Sequence, residues 1–419
     1  MQGFLIEGVD RLKGEIRTGG AKNAALPIIA ACLLIDGEVS LHDCPGFSDV
    51  YSSVRILSCL GCTARAANGE FYADCRGLDR DHIPDKLMRL MRSSSLYLGA
   101  LLGRLGSAYV SYPGGCELGS RPIDLHLAAF EKMGVSIHEE HGVIECTAPG
   151  GVHGASISLS FPSVGATENI ILAAVLARGE TVIYGAAREP EISDLSGFLR
   201  KCGAKITGDG TSTVRIHGVK ELHGCEYTVM PDRIAAATYM CTLALAGGEL
   251  VIDNINESQL RQISDILTEA GCDIYTGGGR LYISRSKPLK SVSRIRTMPY
   301  PGFPTDAQPL VTAVLSRGKG TSIIVENIFE NRFSLNGELV RMGADIKTEG
   351  RIAVIEGAEK LYGARVMAKD LRAGAALVCA AVSAEGVTEL GRIEYIDRGY
   401  EHLEDTLSKI GAKIKRTAI

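Results

Sequence analysis

A short phrase built around a glycine recurs six times along this chain at nearly equal spacing. The glycines are Gly61, Gly134, Gly203, Gly271, Gly343 and Gly411, and successive members are 68 to 73 residues apart. A stretch typical of a β-strand follows each phrase, as in Ala204-Lys205-Ile206. A fixed period of this length indicates one supersecondary unit in six copies, each burying its apolar face against its neighbours.

A second series of glycines keeps the same period and marks a second feature of the repeat. Its members are Gly37, Gly106, Gly179, Gly248, Gly320 and Gly386. Each follows a segment that is apolar on almost all sides, which predicts a helix buried on every face. The predicted helices are 23–36, 94–105, 167–178, 233–247, 306–317 and 372–385. We expect each helix to end at the glycine that follows it, because glycine accepts the left-handed conformation of a helix terminus.

Each repeat continues with a strand, an amphipathic helix such as 194–202, and two more strands. A chain of 419 residues exceeds one comfortable core, so six repeats divide naturally into three plus three. The sequence therefore predicts two similar α/β domains, each with buried helices inside a layer of sheets and amphipathic helices. No linker is rich in Pro, Ser or charge, so only the phase of the repeat places the boundary.

The composition limits the class of partner. The formal net charge is −4, which makes nucleic acid an improbable partner. We expect no signal peptide at residues 1–7 and no membrane span, since the longest apolar stretches fall short of about 18 residues. The twelve scattered cysteines are typical of reduced thiols in the cytoplasm. Cys59 and Cys62 form a C-x-x-C pair without a second pair, so we assign them no metal or redox role.

Charged residues stand at the starts of the predicted buried helices. Lys22, Arg92 and Arg372 are cations at positions where the helix dipole already favours anions. Folding alone gives no reason for them, which suggests that they bind a ligand with several negative charges. We expect a polyanion-binding cleft between the domains, lined by helix starts.

Several short blocks are spread from end to end of the chain. They are 19–27 (GGAKNAALP), 113–116 (PGGC), 121–126 (RPIDLH), 163–167 (SVGAT), 187–191 (AREPE), 303–306 (FPTD), 330–333 (ENRF), 370–373 (DLRA) and 397–401 (DRGYE). In this order they resemble the UDP-N-acetylglucosamine 1-carboxyvinyltransferases of the enolpyruvyl transferase family.

This resemblance implies the inside-out α/β barrel fold with three repeats in each domain. It implies a domain of residues 22–231 that carries a lid loop with Cys116, and a second domain of 1–21 with 232–419. The active site would lie in the cleft between them. The implied reaction transfers the enolpyruvyl group of phosphoenolpyruvate to the 3-hydroxyl of UDP-N-acetylglucosamine and releases phosphate. The family needs no metal and no organic cofactor.

Addition followed by elimination requires a proton donor to C3 of phosphoenolpyruvate and a base for the sugar hydroxyl. By resemblance Cys116 is the acid, and the equivalent cysteine of the family also forms an adduct with phosphoenolpyruvate. Pro113, Gly114, Gly115 and Gly119 place Cys116 in a loop too flexible for a core position. The resemblance makes Asp306 the base, although a carboxylate there also suits a helix cap.

The resemblance also assigns the anion-binding residues. Lys22, Arg121 and Arg398 would bind the phosphate of phosphoenolpyruvate, and Lys22 and Arg398 count among the catalytic residues with Cys116 and Asp306. Arginine suits these roles because its planar fork binds two oxygens and stays charged. The full set expected to bind phosphoenolpyruvate is Lys22, Asn23, Arg92, Arg121, Arg332, Arg372 and Arg398.

The nucleotide sugar would meet residues from both halves of the chain. They are Asn23, Arg92, Arg121, Pro122, Ile123, Asp124, Leu125, Ser163, Val164, Gly165, Asp306 and Ile328. Phe161 stands where some family members have a lysine, so one cationic contact to the diphosphate is missing. We interpret Glu189 and Glu191 as part of an interdomain or loop element.

Two other functions stay open on the sequence. The sister transferase that acts on shikimate 3-phosphate shares the fold and the donor, but the 113–116 and 163–167 blocks favour the nucleotide sugar. A non-catalytic paralogue that binds the nucleotide sugar would be expected to have lost Cys116, Asp306 or the cations Lys22 and Arg398, and all four are present. A pure repeat scaffold would not place cations at helix starts.

The assignment of Cys116 predicts the response to fosfomycin, an epoxide antibiotic that alkylates the lid cysteine of this family. Replacing Cys116 with Asp should abolish inactivation and keep measurable transfer, because a carboxyl group can also deliver a proton. The measurement is residual activity against time with the antibiotic. Inactivation of Cys116→Asp at the wild-type rate would show that another residue is the target.

Overall fold

A computed structural model describes residues 2–114 and 123–419. Among these residues, contacts between α-carbons separate two compact units. One comprises 20–114 with 123–230, and the other comprises 2–19 with 231–419. Each unit has its own core of buried hydrophobic side chains.

The described residues form helices and strands in alternation. The α-helices are α1 (Lys22–Ala31), α2 (Ser48–Cys59), α3 (Asp85–Met88), α4 (Leu96–Leu105), α5 (Asp124–Lys132), α6 (Val164–Ala174), α7 (Pro190–Lys201), α8 (Arg233–Ala246), α9 (Glu257–Glu269), α10 (Gln308–Leu315), α11 (Asn336–Arg341), α12 (Leu371–Val382) and α13 (Leu403–Ser408). Short 3-10 helices are Cys32–Leu34, Arg92–Ser95, Thr305–Ala307, Arg332–Leu335 and Ile393–Arg398.

The strands are short and evenly spread along the chain. They are β1 (Gln2–Glu7), β2 (Leu12–Arg17), β3 (Asp36–His42), β4 (Thr63–Ala67), β5 (Glu70–Asp74), β6 (Ser107–Ser111), β7 (Ser136–Glu140), β8 (Val143–Thr147), β9 (Ser156–Ser158), β10 (Glu180–Tyr184), β11 (Lys205–Thr207), β12 (Thr213–His217), β13 (His223–Thr228), β14 (Gly248–Asp253), β15 (Asp273–Gly277), β16 (Arg280–Arg285), β17 (Arg294–Arg296), β18 (Thr321–Val325), β19 (Asp345–Glu349), β20 (Ile352–Glu356), β21 (Arg365–Met367), β22 (Val387–Gly391) and β23 (Lys413–Ala418).

Three helices of each unit are buried on almost every side, as the sequence predicts. They are α1, α4 and α6 in one unit and α8, α10 and α12 in the other. Every residue of α8 and α12 is buried except Leu371 at the start of α12. A helix without a polar face gains stability only by such complete enclosure. The predicted helix 306–317 is shorter in the structure, because a 3-10 turn replaces its first residues.

The sheets carry the signature of the repeat. Five of the six have four strands in one arrangement, a parallel pair followed by two antiparallel neighbours, as in β9-β10-β12-β11 and β17-β18-β20-β19. The sixth, β6-β8-β7, lacks the first strand, and a single parallel bridge between His82 and Tyr109 takes its place. The predicted α/β fold of six repeats is therefore confirmed, with separate sheets rather than one closed barrel among the described residues.

The first two strands of the chain belong to sheets of the C-terminal half. β1 pairs with β22 and β23, and β2 pairs in parallel with β14. In sheet β21-β22-β1-β23, the N-terminal strand occupies the third place, which β16 and β20 fill in the other two sheets of this unit. The last repeat is thus completed by the start of the chain.

All six glycines of the first series have positive φ angles, from 84° to 105°. Residues with a β-carbon rarely adopt this conformation, which explains why the phrase keeps glycine in every copy. The second series also has positive φ throughout, but its predicted role is wrong in part. Only Gly106 caps its helix directly, while the others open or precede the next strand, as Gly179 does before β10.

Six amphipathic helices each bury one face. They are α2, α5, α7, α9, α11 and α13.

Within the described ranges, no helix is both long and apolar enough to cross a membrane.

The glycine conformation gives a stability test at Gly411. Its φ is 104° and an added β-carbon would meet nothing closer than 4.0 Å, so Gly411→Ala isolates the backbone cost. We expect a loss of about 1–2 kcal/mol in the free energy of unfolding, measured by denaturant titration.

The matched control is Gly337→Ala, in the exposed face of α11 with nothing within 4 Å of the added carbon and no positive φ. This change should stabilise the protein by up to about 1 kcal/mol. Equal effects of the two substitutions would contradict the assigned role of the repeated glycine.

Candidate functional site

The starts of the buried helices carry the predicted charges, and three of them are capped by side chains. Ser163 caps α6, Asp232 caps α8 and Asp370 caps α12, each accepting a hydrogen bond from backbone N–H groups of the first turn. Lys22 is the first residue of α1 and Arg92 opens the 3-10 turn before α4. Side chains of both signs therefore lie at the ends where the helix dipole is positive.

Lys22 is buried and has a partner from the amphipathic helix of its own repeat. Its Nζ lies 2.8 Å from Oδ2 of Asp49 in α2, and both side chains are at least nine-tenths enclosed. The expectation that folding gives no reason for this cation is wrong, because Lys22 neutralises a buried carboxylate.

Asp306, the predicted base, lies between two buried arginines. Its Oδ1 accepts a hydrogen bond of 2.7 Å from Nη2 of Arg332. Its Oδ2 accepts bonds of 3.2 and 3.0 Å from Nε and Nη2 of Arg372. The side chain of Asp306 is 26% exposed whereas those of Arg332 and Arg372 are 1% and 5% exposed. The side chain of Asp306 thus stays partly accessible while three hydrogen bonds from two guanidinium groups fix its direction.

Arg372 is fixed from several sides. Asp370 caps the helix that carries it, and Nη1 of Arg372 lies 3.4 Å from the hydroxyl of Tyr400, which bonds Oγ1 of Thr238 at 2.7 Å. Burial disfavours the charged guanidinium, but Asp306, Tyr400 and Asp232 together outweigh this effect, and the pKa of Arg372 is raised. Burial raises the pKa of Tyr400 to about 12, so its hydroxyl stays protonated. Like Lys22, Arg372 has a structural reason for its position.

Arg332 connects Asp306 to a loop that holds a predicted nucleotide contact. Its Nε donates to Oγ1 of Thr305 at 3.2 Å, and that hydroxyl donates to Glu326 at 3.1 Å. Glu326 is buried and accepts the backbone N–H groups of Ile328 and Phe329 at 2.8 and 3.0 Å. The position of Ile328 therefore depends on the same network as Asp306.

The other predicted residues divide by unit and by burial. Arg398 ends the 3-10 helix Ile393–Arg398 and is half-buried, as is Arg92. Ile123 and Asp124 stand at the start of α5, and Ser163, Val164 and Gly165 at the start of α6. Asn23 is exposed and Leu125 half-buried. The structure thus joins Asp306, Arg332 and Arg372 directly in one network.

Three predicted residues, Cys116, Arg121 and Pro122, lie outside the described residues. Their roles stay predictions. Within the described ranges, no group of three or more His, Cys, Asp or Glu side chains could hold a metal ion.

The interpretation of Glu191 as part of a loop is wrong. Pro190 opens α7, and Glu191 in its first turn is only 3% exposed. A proline followed by an acidic residue predicts a helix start, and Pro190 and Glu191 carry this signal in the sequence. Glu168 in α6 is also buried, and burial, followed by the charges of Glu191 and Glu189, raises its pKa well above the usual range.

Several polar residues of the site were missed by sequence reasoning. Asp370 could have been found, because an Asp two residues before Arg372 at the start of an apolar segment is typical of a helix cap. Asp49 could not, since it lies 27 positions from Lys22 and only tertiary packing brings the two together. His126 and Asn169 form a buried hydrogen bond that no local pattern indicates.

A family model described as EPSP synthase (3-phosphoshikimate 1-carboxyvinyltransferase) matches residues 6–407. The chain is 51% identical over 413 residues to UDP-N-acetylglucosamine 1-carboxyvinyltransferase 2 of Caldanaerobacter subterraneus, with 99% of each chain covered. It is 46% identical to the UDP-N-acetylglucosamine 1-carboxyvinyltransferase of Acinetobacter baylyi over the full length of both.

Solved structures agree with these relatives. The enolpyruvyl transferase NikO from Streptomyces tendae matches with a TM-score of 0.89 and 25% identity over 99% of both chains. An EPSP synthase from Acinetobacter baumannii matches over the whole of both chains with a TM-score of 0.77 and 19% identity, which shows a shared fold.

The ion pairs of Asp306 predict a stability effect. Asp306→Asn removes the negative charge that pairs with the buried guanidinium groups of Arg332 and Arg372, so we expect the free energy of unfolding to fall by about 1–3 kcal/mol. The measurement is denaturant unfolding at neutral pH. The control is Asp345→Asn, at an exposed position of β19 without an ion pair among the described residues, which should change little. A variant Asp306→Asn as stable as the control would contradict the network.

Proposed function

Because the chain belongs to the EPSP synthase family and, within it, to the UDP-N-acetylglucosamine 1-carboxyvinyltransferases, we propose the activity of that group for it. The enzyme transfers the enolpyruvyl group of phosphoenolpyruvate to the 3-hydroxyl of UDP-N-acetylglucosamine and releases phosphate. This is the first committed step of peptidoglycan precursor synthesis. Identities of 45% to 51% to relatives of this name over nearly the whole chain support the proposal.

The observation that carries the mechanism is the carboxylate of Asp306 between Arg332 and Arg372. A base must be accessible to substrate and fixed in direction. The side chain of Asp306 is 26% exposed and accepts three hydrogen bonds from two guanidinium groups, which meets both needs. We assign Asp306 to the removal of the proton from the sugar hydroxyl. Its fixed partners keep the carboxylate from rotating while the bond forms.

Phosphoenolpyruvate carries a phosphate and a carboxylate that must stay bound while its bonds change. Fixed cations suit this need, because they stabilise charge in the transition state without reorganisation. In the described ranges these cations are partly or fully buried, which strengthens their field. The residues proposed to bind phosphoenolpyruvate are Lys22, Asn23, Arg92, Arg121, Arg332, Arg372 and Arg398.

The addition step forms a bond from the sugar oxygen to C2 and delivers a proton to C3, for which we propose Cys116. The elimination step then removes a proton from the new methyl group and breaks the bond from C2 to the phosphate oxygen. Phosphate leaves with the electron pair of that bond, and no oxidant or metal is needed for the balance. Lys22 and Arg398 would stabilise the departing phosphate.

The nucleotide sugar would contact the starts of α5 and α6 and the loop at Ile328. Free N–H groups at a helix start bind phosphate oxygens well, which supports a diphosphate at Val164 and Gly165. The proposed contacts are Asn23, Arg92, Arg121, Pro122, Ile123, Asp124, Leu125, Ser163, Val164, Gly165, Asp306 and Ile328. The substrates are small molecules, and we propose the cytoplasm as the place of reaction.

The test offers phosphoenolpyruvate with UDP-N-acetylglucosamine or with shikimate 3-phosphate and measures released phosphate. We expect release only with the nucleotide sugar. Asp306→Asn should lower kcat by about 10²- to 10⁴-fold, because it removes a general base. Asp345→Asn is the control that should retain activity.

Release only with shikimate 3-phosphate would favour the activity named in the description of the family model. If folded protein binds the nucleotide sugar but releases no phosphate with either substrate, that result would favour a non-catalytic paralogue. Caldanaerobacter subterraneus carries relatives numbered 1 and 2, and both bear the name of the enzyme, which favours a catalytic role for either copy.

A further inference from the structure

His126 is a buried histidine that the proposed reaction does not use. It lies in the first turn of α5 and is 6% exposed. Its Nδ1 lies 2.8 Å from the amide nitrogen Nδ2 of Asn169 in α6. Each nitrogen of a buried imidazole normally has a hydrogen-bond partner, and Asn169 is the partner of Nδ1 alone.

Asn169 can point its amide in only one direction. Its Oδ1 accepts the backbone N–H of Gly99 at 2.8 Å, and its Nδ2 donates to the backbone carbonyl of Ser95 at 3.0 Å. Turning the amide over would set a donor against the N–H and an acceptor against the carbonyl. The backbone of the segment before and within α4 therefore fixes which atom of Asn169 faces His126.

This orientation fixes the proton of the imidazole. Because Nδ2 of Asn169 donates, Nδ1 of His126 must accept, and the neutral ring carries its hydrogen on Nε2. Burial, with the charge of Arg92, lowers the pKa of His126 to about 4 despite the opposing charge of Asp124. The ring is thus neutral at physiological pH, with one N–H donor in a known place.

The donor edge of the ring faces the start of α6. A β-carbon on Gly165 would lie 3.3 Å from Cε1 and 3.5 Å from Nε2 of His126. Among the described residues, no group forms a hydrogen bond with Nε2 of His126. No acceptor among them bonds the backbone N–H groups of Val164 and Gly165. The start of α6, a helix of eleven residues, therefore presents two backbone donors, and the buried ring of His126 in α5 presents one side-chain donor to the same small region.

We propose that His126 is a binding residue for the diphosphate of the nucleotide sugar, donating from Nε2 to a phosphate oxygen at the start of α6, and that Asn169 is the residue that positions it. This inference rests on the proposed function, because it takes the nucleotide sugar as the ligand. A neutral donor contributes direction rather than net charge. It therefore selects the diphosphate by geometry where Phe161 supplies no cation.

Two substitutions at His126 separate the donor from the packing. In His126→Asn the side-chain carbonyl lies near the place of Nδ1 and still accepts from Asn169, but the distal donor is gone. In His126→Gln the amide nitrogen reaches near the place of Nε2 and restores a donor. Binding is measured by titration calorimetry with UDP-N-acetylglucosamine, and with uridine as the probe that lacks phosphate.

We expect His126→Asn to weaken binding of UDP-N-acetylglucosamine about tenfold or more, which corresponds to one hydrogen bond to a charged group. His126→Gln should stay within about threefold of wild type, and uridine should bind equally to all three. Unchanged binding by His126→Asn, or an equal loss for uridine, would overturn the proposal. Wild-type protein that binds no UDP-N-acetylglucosamine would instead overturn the proposed function beneath it.

Asn169→Asp tests the positioning role with a readout that packing alone does not move. A carboxylate at 169 still accepts the N–H of Gly99, but it draws the imidazole proton to Nδ1 and turns the lone pair of Nε2 toward the phosphate. The charged groups facing the ring are then Arg92, Asp124 and the new carboxylate. Affinity of the variant for UDP-N-acetylglucosamine should be lowest at about pH 8 and recover as the ring gains its second proton on acidification.

Over the same pH range the ratio of wild-type to variant affinity is the decisive quantity. We expect it to fall by about tenfold or more between pH 8 and pH 5.5. A constant ratio would overturn the positioning role of Asn169, even if Asn169→Asp were less stable. Thermal unfolding of each variant shows that the titrated protein is folded.

Discussion

An apolar helix that is buried on every side can bring polar chemistry only to its ends. The structure builds each unit around three such helices, so the polar groups at their starts must be satisfied by caps, ion pairs or ligands. The positive end of the helix dipole then adds its field to any cation placed there. This constraint explains why the residues assigned to the reaction lie at helix starts that are far apart in the sequence.

The ion pairs also fix the positions of the charged side chains that we assign to binding. Lys22 with Asp49, and Asp306 with Arg332 and Arg372, are fixed before any substrate arrives. A buried charge without a partner costs several kcal/mol, so the pairs stabilise the fold while they orient the groups. The same side chains would thus serve both stability and the binding that we propose for them. The expectation that Lys22 and Arg372 have no structural reason to stand at helix starts is therefore wrong, because both form ion pairs there.

Much of the fold could be predicted because a glycine phrase recurs at a fixed period in the sequence. The period of Gly61 and its five counterparts gave six units, and positive φ at each one is the physical reason for the residue. The ends of the helices could not be placed, since 3-10 turns such as Thr305–Ala307 depend on packing. The resemblance predicted that Asp306, Arg332 and Arg372 belong to one site. The hydrogen bonds from Arg332 to Thr305 and from Thr305 to Glu326 are visible only in the structure. The fixed tautomer of His126 depends on backbone groups near Ser95 and Gly99 that no motif encodes.

We propose that these charged helix starts serve an addition and elimination at C2 of phosphoenolpyruvate, not a transfer of its phosphoryl group. The most direct measurement uses phosphoenolpyruvate with ¹⁸O in the oxygen that bridges C2 and phosphorus, together with UDP-N-acetylglucosamine. Mass spectrometry of the products then shows which bond was broken. We expect the label in the released phosphate, because the bond from C2 to the bridging oxygen breaks. Label retained by the three-carbon fragment would mean that the phosphorus–oxygen bond broke, and it would contradict the proposed reaction.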